Sequence, residues 1–314
     1  MTTTAAIALV VLTAGMPFAT YYQNVDLNVI KDKHPQYLVV DPYSGPNDVP
    51  WTQQEVQTVK SYGVHPLAYL PVMVVGYHET DLYDYAKQNG LLGPEDPVWK
   101  CDAAVEFWDQ GYVQELEQVI SRFHDMGFEG IMFDAVDAWS YRWYLDWYEN
   151  TFGGTLDDLK QKAYQVLQEL AGYAQKLGMI VAVNCGAAAS DPTFQDLVKK
   201  YGWWVVVENV IADGSGNLLP DDSFEANLNA LKNLGDRIYV IEYNIDPNDQ
   251  EVKERLEEVF SVEGVKEVYI TDPAHDEIGE AVVPSSASAE TQVPGSNGIP
   301  LLPLVPVPRR VRRC

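Results

Sequence analysis

The chain alternates between short apolar runs and longer amphipathic segments, and seven of the apolar runs end in a polar residue. Runs of this length, rich in β-branched and aromatic residues, are typical of strands buried on both faces, as in a parallel sheet covered by helices. The residues that end them are Asp41, Tyr69, Asp134, Asn184, Glu208, Glu242 and Asp272. Because the carboxyl ends of the strands form the active-site mouth of a (β/α) barrel, this pattern predicts an acidic cleft.

Eight strand candidates follow one another along the chain, with helical patterns between most of them. We expect strands at residues 18–23, 37–41, 65–71, 130–134, 179–184, 203–208, 238–242 and 267–271. We expect helices at residues 52–62, 110–126, 156–177, 224–234 and 251–260. The first helix begins with a predicted capping box of Thr52 and Glu55. The alternation predicts an α/β fold, a single (β/α)8 TIM barrel over residues 20–280. An open doubly wound sheet is the alternative, but no Gly-x-Gly-x-x-Gly motif follows the first strand.

A long loop is expected after the third strand, at residues 72–108. It carries several aromatic and charged side chains, among them His78, Glu79 and Trp99. Loops of this length in a barrel are usually functional, so we expect this one to contribute to the site.

The composition limits the classes of partner. The chain has 314 residues, 46 of them acidic and 21 basic, and a formal net charge of −25. Nucleic acid is therefore excluded as an expected partner, because its binding needs clustered Lys and Arg, and anionic membrane surfaces are disfavoured for the same reason. The charge indicates either a solubilising acidic surface or a cleft whose field attracts a cationic or polyhydroxylated substrate.

The three cysteines, Cys101, Cys185 and Cys314, lack the spacing of a zinc site, and we predict no metal and no cofactor. A disulfide between Cys101 and Cys185 and a buried free thiol at Cys185 are both consistent with the sequence.

Both ends of the chain differ from the barrel. Residues 1–19 contain about a dozen apolar positions, which indicates a signal peptide cut after Ala19, and a buried N-terminal strand is the alternative. The apolar stretch is shorter than the roughly 20 residues that a transmembrane helix needs. Residues 281–314 read as a disordered Ser- and Pro-rich linker with a basic tail, which is either a cell-surface attachment segment or an irregular terminus. We therefore expect a secreted or cell-surface protein.

The predicted mouth has the groups that glycosidic bond hydrolysis needs. That reaction uses one carboxyl group as proton donor and a second on the opposite side of the sugar. Asp134, Glu208 and Glu242 end the fourth, sixth and seventh strands. Aromatic side chains, which suit the apolar faces of sugar rings, lie beside them in sequence at Trp139, Tyr141, Trp143, Trp203 and Tyr243. We take Trp139 and Tyr243 as substrate-binding candidates, although ordinary core packing also explains such aromatics.

Residues 127–137, Gly-Phe-Glu-Gly-Ile-Met-Phe-Asp-Ala-Val-Asp, resemble a motif of glycoside hydrolase family 114, the endo-α-1,4-polygalactosaminidase-like barrels. The family motif is Gly-Phe-Asp-Gly-(apolar)3-Asp-Asn-(apolar)-Asp, so Ala135 replaces its Asn. The resemblance extends over about residues 18–272. It implies hydrolysis of an α-1,4-linked galactosaminoglycan, with Asp134 as nucleophile or transition-state stabiliser and Glu208 as acid/base. The residues implied to bind sugar or to set the pKa values of this pair are Asp41, Tyr69, Asp137, Asn184 and Glu242.

Two other functions remain open at this stage. A metal-dependent hydrolase or lyase would need histidine ligands at strand ends, and the five histidines do not lie at predicted strand ends. Asp134, Glu208 and Glu242 could nevertheless form an all-carboxylate magnesium site. A non-catalytic carbohydrate-binding or structural barrel is the second alternative. No nucleophile elbow or P-loop motif is present, so acyl and phosphoryl transfer are poorly supported.

Overall fold

The computed structural model describes residues 7–285, which form a TIM-barrel-like α/β fold. The strands are β1 (Leu9–Leu12), β2 (Phe18–Tyr21), β3 (Tyr37–Val40), β4 (His65–Pro71), β5 (Val74–Gly76), β6 (Leu92–Glu95), β7 (Asp102–Val105), β8 (Gly130–Asp134), β9 (Ile180–Asn184), β10 (Trp204–Glu208), β11 (Ile238–Tyr243), β12 (Val265–Thr271) and β13 (Glu280–Pro284). The α-helices are α1 (Leu27–Lys33), α2 (Gln53–Ser61), α3 (Thr80–Gln88), α4 (Gln110–Met126), α5 (Arg142–Phe152), α6 (Leu156–Lys176), α7 (Pro192–Tyr201), α8 (Asp221–Leu231) and α9 (Gln250–Phe260). Single turns of 3-10 helix lie at Pro46–Asp48, Ala138–Ser140 and Gly186–Ser190.

Eight parallel strands form the curled sheet in the order in which they occur in the chain, β2-β3-β4-β8-β9-β10-β11-β12. These strands correspond to the eight predicted ones, so the barrel prediction is confirmed and the doubly wound alternative is wrong. The predicted capping box is also confirmed, since Thr52 and Glu55 exchange side-chain and backbone hydrogen bonds at the start of α2. Sequential order places all the strand carboxyl ends at one mouth, where the predicted site residues would meet.

No ladder pairs β2 and β12 within residues 7–285, and the contacts across the seam between these strands include several made by side chains. The hydroxyl of Tyr269 on β12 donates to the backbone carbonyl of Thr20 on β2 at 3.2 Å. Lower in the barrel, the ring of Phe18 on β2 stacks on Tyr239 of β11 at 4.9 Å between centroids. These contacts bring the first and last parallel strands together without backbone pairing.

The long insertion predicted at residues 72–108 lies where expected, between β4 and β8, but it is a folded unit with strands and a helix of its own. β5, β7 and β6 form a three-stranded antiparallel sheet with α3 in the connection between β5 and β6. The unit packs on α5 at Gly93, where a Cβ atom would lie 2.6 Å from the ring of Trp147. The sequence pattern missed it because its strands have only three or four residues each.

The two chain ends meet in an antiparallel extension of the sheet, since β13 pairs with β12 and β1 pairs with β13. The predicted start of the flexible tail at residue 281 is therefore too early, and the rest of the tail, from residue 286, lies outside the described residues. A cut after Ala19 would divide β2, in which Phe18 and Ala19 are both fully buried. Secretion stays a prediction. In the described part of the chain no helix has the length and apolar character needed to cross a membrane.

Three barrel strands leave the sheet through a residue in the left-handed region of backbone space. These residues are Ala135, Asn209 and Asn244, with φ of +51°, +58° and +56°. Asn adopts this conformation at low energetic cost, whereas in Ala the close approach of Cβ to the backbone raises the conformational energy. The replacement of the motif's Asn by Ala135 therefore leaves strain directly after Asp134.

We expect Ala135→Asn to raise the free energy of unfolding by about 0.5–1 kcal/mol, because Asn relieves this strain. Urea denaturation of the two proteins measures the difference. Ala135→Val is the matched control and should destabilise the protein, since a β-branched residue suits a positive φ less than Ala does. Equal stabilities for the Asn and Val variants would contradict the explanation.

Candidate active site

Asp134 and Glu208, at the ends of β8 and β10, are bridged by Asn184 at the end of the strand between them. The Nδ2 of Asn184 donates to Oδ1 of Asp134 at 2.9 Å and to Oε1 of Glu208 at 2.6 Å. All three side chains are half-buried at the mouth of the barrel. The structure therefore brings the two predicted catalytic residues together and places the predicted ligand Asn184 between them.

The second oxygen of each carboxylate has its own tyrosine donor. The hydroxyl of Tyr69 on β4 donates to Oδ2 of Asp134 at 2.7 Å, and the hydroxyl of Tyr243 on β11 donates to Oε2 of Glu208 at 2.7 Å. Hydrogen bonds to the charged form stabilise it, so each tyrosine supports an ionised carboxylate. Tyr69 and Tyr243, both predicted from the sequence as substrate-binding residues, thus act directly on the pair.

The environment of Glu208 favours its protonated form. Burial, followed by the charge of Asp134, raises the pKa of Glu208 to about 7, against the opposing hydrogen bonds from Tyr243 and Asn184. A carboxyl group with this pKa is populated in both protonation states near neutral pH, as an acid/base requires. Asp134 accepts two hydrogen bonds from neutral groups, the Tyr69 hydroxyl and the Asn184 amide.

Asp137, predicted to bind sugar or to set the pKa values of the pair, is bonded within the protein. Its Oδ2 accepts the backbone N–H of Ala187 at 2.6 Å, and its side chain fills the space beside Gly186, where a Cβ would lie 2.3 Å from Oδ2. Its charge contributes to the raised pKa of Glu208. Asp137 therefore fixes the turn after β9 and acts on the pair electrostatically.

Glu242, predicted to bind sugar or to set the pKa values of the pair, is bonded within the protein. Its side chain is 0% exposed. Oε1 accepts the backbone N–H groups of Val210 and Ile211, both at 2.7 Å, and Oε2 accepts that of Ala212 at 3.1 Å. Glu242 thus holds the segment that follows Glu208. Its buried oxygens contact backbone N–H groups and leave no exposed oxygen for a sugar.

Asp41 lies in a second acidic group on the β3 side of the mouth. Its Oδ1 accepts the backbone N–H of Tyr43 at 2.9 Å, and its Oδ2 lies 3.2 Å from Nε2 of His78. Glu79 is buried 3.9 Å from the same nitrogen and accepts the backbone N–H of Gly76 at 2.7 Å. Burial raises the pKa of Glu79 to about 8. His78 and Glu79 come from the folded insertion, which therefore contributes to the mouth.

The aromatic predictions divide into two groups. Trp139 is only 6% exposed and packs between Lys160, whose Nζ lies 4.3 Å from the ring centroid, and Tyr164, so its prediction as a sugar ligand is wrong. Tyr141, two residues later, is 44% exposed. Desolvation, followed by the charges of Asp137 and Asp134, raises the pKa of Tyr141. Tyr141 is thus the better candidate.

Sequence reasoning missed two residues at the centre of the site. Tyr22, just after β2, packs on Tyr69 at 5.0 Å and on His275 at 4.6 Å between ring centroids. Burial, then the charges of Asp134 and Glu208, raises the pKa of Tyr22 well above its ordinary value. A signal for Tyr22 was present, because it directly follows the first strand. His275 lies in a loop with no comparable signal.

Two further predictions concern metal and cysteine chemistry. Over residues 7–285 no group of three or more His, Cys, Asp or Glu side chains is arranged to hold a metal ion. Cys185 is a free, buried thiol, so the predicted disulfide with Cys101 is wrong and the alternative of a free thiol is confirmed. Burial raises the pKa of Cys185 well above its ordinary value, which leaves an unreactive thiol.

The buried acids predict that the fold is more stable under acidic conditions. Burial raises the pKa values of Asp137 to about 6, Glu208 to about 7, and Glu79 and Glu242 to about 8. A folded state that binds protons more tightly than the unfolded chain loses stability as pH rises through the folded-state pKa values. We expect the Tm to fall by several degrees between about pH 5 and about pH 8.5, measured by calorimetry. Glu79→Gln should reduce this fall, and a Tm that rises over the range would contradict the prediction.

Sequence comparison finds relatives in an archaeon and a bacterium. The uncharacterized protein MJ1477 of Methanocaldococcus jannaschii is 23% identical over 241 residues, which cover 72% of this chain and 66% of that protein. An uncharacterized protein of Thermotoga maritima is 29% identical over 137 residues, which cover 40% of this chain and 41% of that protein. The matches thus span less than two thirds of either relative.

Solved structures share the fold. The glycoside hydrolase domain of PelA from Pseudomonas aeruginosa superposes with a TM-score of 0.61 at 17% identity, covering 83% of this chain and 96% of that chain. Aspergillus fumigatus Ega3, in complex with galactosamine, gives a TM-score of 0.57 at 13% identity, covering 89% of this chain and 99% of that chain. At these identities the likeness establishes the fold alone.

The family is identified by comparison of the sequence with a family model. A model of glycoside-hydrolase family GH114 matches residues 18–283, from β2 to β13, and so includes every residue of the site described above. The match confirms the resemblance of residues 127–137 to the motif of that family. The chain therefore belongs to glycoside-hydrolase family GH114.

Proposed function

We propose that this protein hydrolyses α-linked aminosugar polymers, such as α-1,4-linked galactosaminoglycan, with Asp134 as nucleophile and Glu208 as acid/base. The observation that carries the proposal is the difference between the two carboxylates. Asp134 accepts hydrogen bonds from Tyr69 and Asn184, whereas burial and the charge of Asp134 raise the pKa of Glu208 to about 7. A carboxyl group with a raised pKa beside a carboxylate that accepts two hydrogen bonds fits the division into acid and nucleophile.

In the first step, Glu208 donates a proton to the leaving glycosidic oxygen while the Asp134 carboxylate bonds to the anomeric carbon. In the second step, Glu208 takes a proton from a water molecule that displaces Asp134. Because one nitrogen of Asn184 reaches both carboxylates, their facing oxygens lie within about 5.5 Å, and carboxyl groups about 5–5.5 Å apart are typical of retaining enzymes. We therefore expect retention of the anomeric configuration.

The charge of the mouth supports a cationic sugar as substrate. Asp41, Asp134, Asp137 and Glu208 approach the mouth from four different strand ends or loops, and the net charge of the chain is −25. Fields of this sign concentrate cations at a cleft. The solved structure of Ega3, with the same fold, contains galactosamine, and a galactosamine residue without an acetyl group carries a positive charge.

The test is an assay of reducing ends released from α-1,4-galactosaminoglycan, in de-N-acetylated and acetylated forms, with neutral α-glycans for comparison. We expect release from the de-N-acetylated polymer, and proton NMR of the first products should show the α-anomer. Binding of the polymer without release of reducing ends would overturn the proposal and favour a carbohydrate-binding barrel.

Tyr141 is expected to contact the sugar next to the scissile bond, because it is the exposed aromatic beside Asp134 and Asp137. Loss of an aromatic stacking contact costs about 0.5–1.5 kcal/mol, so Tyr141→Ala should raise KM about three- to tenfold with a smaller change in kcat. Steady-state kinetics on the polymer measure both constants. Tyr141→Phe keeps the ring and should retain the KM of the wild type, and an equal loss in both variants would contradict stacking.

A further inference from the structure

The loop after β12 holds a buried histidine, His275, across the seam between β12 and β2. His275 is 7% exposed, and its backbone φ is +50°. Its backbone N–H donates to the carbonyl of Asp272 at 3.2 Å, and its own carbonyl accepts the N–H groups of Tyr22 at 2.7 Å and Gln23 at 3.3 Å. The position of His275 is therefore fixed both by its own loop and by the end of the first barrel strand.

Hydrogen bonds connect this histidine to Glu208. Oγ1 of Thr20 lies 2.5 Å from Nδ1 of His275, and the hydroxyl of Tyr243 lies 3.1 Å from Nε2. The same hydroxyl is 2.7 Å from Oε2 of Glu208. Thr20, His275, Tyr243 and Glu208 thus form one continuous chain, and Thr20 is fully buried at its far end.

The direction of each hydrogen bond follows from the number of protons available. An ionised carboxylate only accepts, so the single hydroxyl proton of Tyr243 points to Glu208. Tyr243 then accepts from His275, and a neutral imidazole that donates to Tyr243 carries its single proton on Nε2. Nδ1 is left as an acceptor, and the hydroxyl of Thr20 donates to it.

We propose that Thr20 and His275 are positioning residues, which hold the hydroxyl proton of Tyr243 on Oε2 of Glu208 and so leave Oε1 to carry the catalytic proton. Oε1 is the oxygen that Asn184 bridges to Asp134, and it therefore faces the other carboxylate of the pair. This inference rests on the proposed hydrolase function, since it assigns the proton used in that reaction to one of two oxygens.

Removal of the Thr20 hydroxyl should release this orientation. With no donor to Nδ1, the imidazole is free to carry its proton there, and Nε2 becomes an acceptor that competes with Glu208 for the proton of Tyr243. The carboxylate of Glu208 then loses a stabilising donor. Loss of a hydrogen bond to the charged form raises the pKa of a carboxyl group.

Two neighbours of this chain have contacts of their own. Tyr22 contacts His275 through its ring, and Asn184 bonds to the opposite oxygen of Glu208. The remaining charged or titratable groups that act on Glu208, Tyr243 or Tyr22, or lie in the loop of His275, are Asp41, Asp134, Asp137, Tyr141, Cys185, Glu242, Tyr269, Asp272, Asp276 and Glu277.

The first experiment needs no enzymatic activity. Nitrogen-15 NMR of the full chain labelled at histidine reports the tautomer of each of the five imidazoles, with the signal of His275 assigned from the variant His275→Gln. We expect the Nε2–H tautomer in the wild type and a gain of the Nδ1–H tautomer in Thr20→Val, which keeps the β-branched shape. An Nδ1–H tautomer in the wild type would overturn the proposal, whether or not the protein hydrolyses any polymer.

The second experiment measures the pH profile of kcat/KM. For Thr20→Val we expect the basic limb to move up by about half a pH unit to one unit, with kcat about three- to tenfold lower and KM within about twofold. Tyr243→Phe should move the limb at least as far. Thr271→Val is the control, because Thr271 is also a buried threonine at a strand end and its hydroxyl bonds to the carbonyl of Glu277 and to Tyr269, not to His275.

The outcomes distinguish a failure of the proposed hydrolase function from a failure of the positioning role. Absence of hydrolysis by the wild type on every polymer refutes the proposed function, and the tautomer measurement then still decides the orientation of the chain. Hydrolysis with identical pH profiles in the wild type, Thr20→Val and Thr271→Val refutes the positioning role alone. Thermal unfolding of each variant verifies that it is folded, and His275→Gln repeats the comparison if Thr20→Val does not fold.

Discussion

Glu208→Gln and Asp134→Asn should each reduce polymer hydrolysis by about a thousandfold or more, the expected cost of removing a general acid or a nucleophile. Both substitutions preserve the shape of the side chain, so Asn184 should still lie between the two positions. The assay is release of reducing ends at the pH optimum of the wild type. Glu129→Gln is the matched control, because Glu129 directly precedes β8 at the opposite end of the barrel and pairs with Lys60 and His65.

The two variants should differ on a substrate that needs no acid. With an aryl glycoside that has a good leaving group, Glu208→Ala should still form the glycosyl-enzyme, and added azide should accelerate its turnover, because azide attacks without a general base. Asp134→Ala lacks the nucleophile and should show no such glycosyl-enzyme by mass spectrometry. If instead azide accelerates the Asp134 variant through a glycosyl-enzyme, the roles assigned to the two carboxylates are reversed. Wild-type activity in Glu208→Gln would remove Glu208 from the mechanism.

The pair was predictable from the sequence because local pattern determined its position. β8 and β10 are buried apolar runs, and in a parallel barrel the residue that ends such a run lies at the mouth. The strand order then follows the chain, so Asn184 at the end of β9 necessarily lies between Asp134 and Glu208. Periodicity and sequential topology placed these residues at the mouth, and the resemblance to the family motif selected Asp134 and Glu208 over Glu242 as the pair.

The roles of the other acids were not predictable, because they depend on which backbone groups approach each carboxylate. In the sequence Glu242 ends its apolar run as Glu208 does, but β11 continues to Tyr243, and the oxygens of Glu242 accept the N–H groups of the segment after β10. Asp137 is similarly bonded to the turn after β9. Nothing in the local sequence of either residue records these long-range contacts.

The roles of His275 and of the folded insertion were also not predictable from the local sequence. His275 meets Thr20 only because the barrel closes between its first and last parallel strands, which are far apart in the chain. The insertion folds through strands too short for a reliable period, and its packing on α5 depends on the close approach of Trp147 to Gly93. Both features arise from tertiary contact.

Glu242→Ala should lower the free energy of unfolding by about 3–5 kcal/mol, because it leaves three buried backbone N–H groups without their acceptor. Glu242→Gln retains one carbonyl oxygen, but its amide nitrogen would lie against the N–H of Ala212, donor against donor. We therefore expect the free energy of unfolding to fall by about 1–3 kcal/mol. Urea denaturation measures both values. Glu225→Gln, at an exposed position on α8, is the control and should change stability by less than about 0.5 kcal/mol.

The same variants should impair catalysis through Glu208, because the segment that Glu242 holds begins two residues after it. Amide hydrogen exchange at Val210, Ile211 and Ala212 should accelerate in Glu242→Gln, and kcat should fall more than KM rises, since no sugar contact is removed. A larger effect on KM than on kcat, with exchange unchanged at these three amides, would restore Glu242 as a sugar ligand. Because the fold buries this carboxylate fully and satisfies both its oxygens from the backbone, we expect the structural outcome.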